Sequence, residues 1–121
     1  MRPAAAELDR IDREVARRAV ELTYESVPEY ARALDAVGRQ RCEEDALFHV
    51  RFLIGSLAVD DPAVFVDYAE WAAALLAHYR IEAKNLAAML RATETAIGEL
   101  APAAAAEARI HLEAGARALD A

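Results

Sequence analysis

The chain has 121 residues, a hydrophobic fraction of 56%, four glycines, four prolines and a formal charge of −7. That length sets one domain, residues 1–121, and the composition excludes a disordered or collagen-like chain. The negative charge argues against nucleic acid, whose phosphates need a clustered basic face, and equally against an anionic membrane surface.

A single cysteine cannot close an internal disulfide and suits a reducing compartment. The opening MRPAAAELDR turns charged too soon for a signal peptide, and no apolar run is long enough to span a bilayer, so the reading is a cytoplasmic protein. Much of the apolar fraction is alanine, which favours helix.

Pro3 suits a first helical turn, and Leu8, Ile11, Val15, Ala19 and Leu22 then repeat at helical spacing. The rest of that cylinder is charged, so residues 1–25 read as one long amphipathic helix. Its exposed surface could fold onto the remainder or pair with a second copy in a homodimer. Ser26 and Glu29 flank Val27 and Pro28 as a capping box for a short helix over 29–37, with Gly38 available to end it.

A central helix is predicted over 39–58. Cys42, Ala46, Val50, Leu53 and Leu57 share a face, and Leu47, Phe48, Phe52 and Ile54 widen the apolar sector until the helix looks packed on more than one side. Asp60, Asp61 and Pro62 make a strong break and restart. The next helix carries Phe65, Tyr68, Trp71, Leu75, Leu76 and Tyr79, a spacing that usually means core. A turn at 80–82 leads to a helix with Leu86, Leu90 and Ile97. Pro102 opens a last one, with Ala108, Leu112, Gly115 and Leu119 on one side. The result is an all-α domain of about six helices, one of them short, with residues 26–121 as its core.

Chemistry concentrates on the central helix. Cys42 and His49 lie about 10 Å apart along the axis, too far for a nucleophile–base pair. The same distance rules out one metal ion on Cys42, Asp45 and His49, and no Glu-x-x-His pair of a di-iron bundle is present. No phosphate-binding glycine loop or nucleophile elbow appears either, so the chain reads as a non-enzyme with no metal. Cys42 and Asp45, three residues apart, project to one side. A carboxylate beside a thiol raises its pKa rather than activating it. The pair instead suits holding a ligand, with the sulfur as tether and the carboxylate as acceptor; the bland reading is a buried cysteine and a solvated acid. His49 is a pocket wall, a partner of Asp45 or a satisfied core residue. His78 sits at a helix end, His111 faces solvent, and haem binding through His49 or His78 is a further option.

The run Arg41-Cys42-Glu43-Glu44-Asp45, then His49-Val50-Arg51-Phe52-Leu53, then Ala58-Val59-Asp60-Asp61, resembles the chromophore helix and acidic turn of the phycobiliproteins, allophycocyanin most of all. The segment Leu75 to Ile81 is similar to the one that closes their pigment pocket. The resemblance implies a globin-like all-α fold and a bilin chromophore such as biliverdin or phycocyanobilin, covalent or non-covalent. It makes Cys42 the attachment point and Asp45 the acceptor for pyrrole nitrogens, with Arg41, His49, Tyr68, Trp71 and Tyr79 around the linear tetrapyrrole. The family carries arginine just before the aspartate, for a propionate; here Glu44 stands there, and Arg39, Arg41, Arg80 or Lys84 is left to substitute. The chain also resembles the helical domain preceding cobalamin-binding domains in some bacterial sensors, which implies a sensor module. The alternative is a ligand-free signalling or dimerisation module in which Cys42 and Asp45 are structural.

Overall fold

The computed structural model describes residues 1–120. Those residues fold as seven α-helices and one 3₁₀ turn, with no strand among them: α1 Pro3–Arg10, α2 Asp12–Ser26, α3 Pro28–Ala33, α4 Ala36–Val59, α5 Pro62–Ala77, α6 Ala83–Leu100 and α7 Ala105–Asp120, the 3₁₀ turn Pro102–Ala104 preceding α7. None of these helices is long and apolar enough to cross a membrane.

The single long N-terminal helix of the sequence reading is two helices. Ile11 leaves helical geometry at φ −128°, ψ 26°, closing α1 and opening α2. The break lets each half address a different surface. α1 places Ala4, Ala5 and Leu8 against α4, whereas α2 lays Val15, Ala16, Ala19 and Val20 across α4 and α6. The apolar stripe of residues 1–25 is thus used within the chain, and Arg10, Arg13, Glu14, Arg17 and Glu21 remain outside.

Four boundary expectations are corrected. Ser26 lies inside the last turn of α2, its Oγ donating to the Thr23 carbonyl at 3.3 Å, so it does not cap the short helix. Gly38 does not terminate that helix. The chain already turns extended at Leu34, and Asp35 then caps α4 by accepting from the Gly38 amide at 2.7 Å. The acidic break behaves as the sequence indicates: Asp60 is left-handed at φ 54°, ψ 45°, and the Asp61 side chain accepts from the Ala63 amide at 3.0 Å to open α5. Pro102 starts the 3₁₀ turn rather than the last helix itself, and Tyr79 falls beyond the end of α5.

The core is closed by Leu8, Leu53, Leu57, Phe65, Leu90, Ile97 and Leu112, all fully buried. α7 packs along α5 and α6, and Gly115 brings it against Phe65; a Cβ there would lie 2.8 Å from two ring carbons. With its inner face held by α7, α5 meets α4 along a much shorter length. The two helices therefore leave a cleft between them on the outer side.

Candidate functional site

The cleft is a cavity of about 330 Å³ lined by Asp45, Phe48, His49 and Phe52 from α4 and by Tyr68, Trp71, Ala72, Leu75 and Leu76 from α5. α4 is apolar around most of its circumference, so only part of it fits inside the core. Phe48 and Phe52 are left 54% and 46% exposed. Trp71, expected as core, is 60% exposed on α5. Tyr68 organises the wall. It stacks on Phe52 with centroids 4.2 Å apart and planes 12° from parallel, meets His49 edge-on at 5.7 Å, and has Trp71 at 6.0 Å.

His49 is buried, and its Nδ1 lies 2.6 Å from Tyr68 Oη. Burial alone drives its pKa down to about 4, so the ring is neutral near pH 7. With its proton on Nε2, the ring accepts from the Tyr68 hydroxyl. The bond fixes Tyr68 at the floor of the cleft, and burial raises the phenol pKa. Of the three readings of His49, the satisfied core residue describes its hydrogen bonding, though its edge also reaches the cleft.

Asp45, part-buried, is the one carboxylate on the cleft wall. Burial raises its pKa, Arg41 opposes that shift, and Glu44 adds to it. Cys42 is 4% exposed and faces elsewhere. It borders a separate space of about 20 Å³, shared with Tyr30, Asp45, His49, Leu76, Ile81, Asn85, Leu86 and Met89, which has room for a single water. Burial raises the thiol pKa while the nearby hydroxyls of Tyr24 and Tyr30 pull it down. Tyr24 Oη is itself sealed from solvent without an aligned hydrogen-bond partner, and Arg39 lies over its ring at 4.9 Å. Cys42 and Asp45 thus project to one side of α4 but do not open into one slot of pigment size.

Arg41 and Tyr79 stand beyond the cleft. The guanidinium lies 4.7 Å over the Tyr79 ring, and Tyr79 borders a different groove with Tyr30, Leu34, Arg80 and Lys84. Of the residues singled out from the sequence, the structure brings Asp45, His49, Tyr68 and Trp71 to one cavity and leaves Cys42, Arg41 and Tyr79 outside it. Phe48, Phe52 and Leu75 are cleft walls that the sequence reading assigned to the core. Their spacing, 48 and 52 on α4 and 71 and 75 on α5, is helical but does not separate them from the core positions beside them.

His111, expected in solvent, is buried. Its Nδ1 lies 2.6 Å from Ser56 Oγ, which donates to the Asp61 carbonyl at 2.9 Å. A hydroxyl has one proton to give, so the imidazole donates to Ser56. A serine acting as nucleophile would need the opposite polarity and access to substrate, and Ser56 is fully buried. The pair ties α7 to the α4–α5 turn. His78 caps the end of α5. Among the described residues no group of three or more His, Cys, Asp or Glu side chains could hold a metal ion.

Comparison with protein-family models, curated proteins and solved structures finds no match to this chain.

Proposed function

We propose that the chain is a non-enzymatic binding module that takes a flat, largely apolar ligand in the α4–α5 cleft, and that the ligand class is a linear tetrapyrrole held without a covalent bond. The observation carrying this reading is the cleft itself: a 330 Å³ space walled by Phe48, Phe52, Tyr68 and Trp71 with Asp45 as its carboxylate. Ligand sites of roughly 300–1,000 Å³ combine such apolar walls with a few placed polar groups. A volume at the lower end seats part of an extended pigment and leaves the rest over the open mouth. The pyrrole N–H groups would meet Asp45, each charge-assisted bond contributing about 1.5–3 kcal/mol. The helix order and the acidic turn after α4 fit the globin-like, phycobiliprotein-like arrangement that the sequence resembles, and the sensor role rests on the resemblance to domains preceding cobalamin-binding domains. The seclusion of Cys42 supports reversible rather than thioether binding.

The test is to mix the purified protein with biliverdin, record the absorbance band, then denature and look for zinc-enhanced fluorescence on the polypeptide. The expected result is a sharpened, red-shifted band that Asp45→Asn weakens about tenfold or more in affinity, and a pigment that leaves the chain on denaturation. No band under any condition removes the proposal, and pigment retained after denaturation restores Cys42 as the tether.

The second reading is a ligand-free signalling module. The packing of Cys42 under Tyr24 and Tyr30 favours it, since a buried thiol of this kind serves as a small hydrophobe. It expects Cys42→Ala and Asp45→Ala to change stability modestly and pigment absorbance not at all.

A further inference from the structure

The rim of the cleft continues along both helices. On α4 the positions along it are Asp45, Phe48, Phe52, Gly55 and Val59, and on α5 they are Val64, Trp71 and Leu75, with the buried Tyr68 as the floor between them. Counting Tyr68, both rows step by three and four residues, the spacing with which helices of a bundle meet one another. Phe48, Phe52, Val59, Val64, Trp71 and Leu75 are each 40–63% exposed. With a full aromatic side chain near 200 Å², they expose roughly 600 Å² of apolar surface in all along this side of the pair, at the top of what a lone monomer shows. Homodimer interfaces are about two-thirds apolar, so this face corresponds to roughly 900 Å² per copy, against about 800 Å² for a standard stable interface.

We infer that this face is covered by a second copy of the chain, related by a two-fold axis crossing the helices, so that two α4–α5 pairs pack face to face. The charges at its ends select that orientation. Arg41 and Arg80 lie at one end, with Glu44 beside Arg41, and Asp61 lies at the other, with Asp67 in the second turn of α5. Among the described residues neither arginine has a carboxylate within 4 Å and neither aspartate has a cation. The two-fold sets each arginine end against the partner's aspartate end, twice. It also brings Phe48 of one copy toward Gly55 of the other, where a Cβ would meet nothing within 4 Å. The partner then roofs the cleft, so that any part of a bound pigment outside the 330 Å³ space would lie between the two copies. The inference rests on the exposed face and not on the identity of any ligand.

The experiment is sedimentation of the ligand-free full chain from 1 to 100 µM, with three variants checked for helicity by circular dichroism. Gly55→Glu enters open space within one copy and leaves the fold intact. The expected result is a dimer for wild type, a monomer for Gly55→Glu and for Trp71→Glu, and a dimer for Arg17→Glu on the outer face of α2. A wild-type monomer at 100 µM, a dimer that survives Gly55→Glu, or dissociation by Arg17→Glu instead overturns the inference.

Discussion

Tyr68 and His49 decide the character of the cleft floor. The neutral imidazole and the phenol satisfy each other at 2.6 Å, which removes two polar groups from an otherwise apolar surface. Neutrality has a consequence for stability. The unfolded ring binds a proton near pH 6.5, whereas the folded ring, pushed to about 4, does not. Stability from this group is complete above pH 6.5 and is lost as pH falls toward 4. His111, lowered in the same direction, adds to the loss, while Asp45 and Glu94, both raised by burial, act against it. Urea unfolding at pH 7 and pH 4.5 measures the sum. His49→Gln should reduce the drop between those values by about 2 kcal/mol, and an unchanged drop would place a charged imidazole in the fold.

At the scale of the helix, the sequence identified most elements but not which side of α4 is free. Its apolar residues run round the cylinder, so Phe48 and Phe52 look no different in the sequence from Leu53 and Ile54; burial separates them only once α7 has taken the inner face of α5. The acidic restart at Asp60-Asp61-Pro62 was legible because its chemistry is local: a left-handed residue, a side-chain cap and a proline at the first position. The break at Ile11 was not, since it depends on the separate surfaces that α1 and α2 must reach. His111 was misplaced for the same reason, its partner Ser56 being on another helix. Helix packing also separates two glycines that the sequence does not rank. Gly115→Ala would drive a methyl into the buried Phe65 ring, costing about 1–3 kcal/mol against about 1 kcal/mol gained in helix propensity. Gly98 faces open space in α6, and Gly98→Ala should raise stability by about 0.5–1 kcal/mol. Thermal unfolding of the two variants should move the midpoint in opposite directions; a rise in both would mean that α7 does not sit tightly on α5.

In the whole molecule, α1, α2, α6 and α7 complete a core that holds α4 and α5 from within, and the outer side of that pair is where apolar surface remains uncovered. The all-helical class was legible from periodicity and the lack of any strand pattern. The site was half legible: Asp45, His49, Tyr68 and Trp71 converge, while the cysteine that drew attention first packs away from the cleft. Trp71, the single tryptophan of the chain, stands on the cleft wall and reports on its occupancy. The most direct measurement is its fluorescence during titration with biliverdin. Saturable quenching at one pigment per chain is expected, with induced circular dichroism in the pigment band and both signals weakened by Asp45→Asn. Quenching that rises linearly without saturation, or that Asp45→Asn leaves untouched, would contradict it.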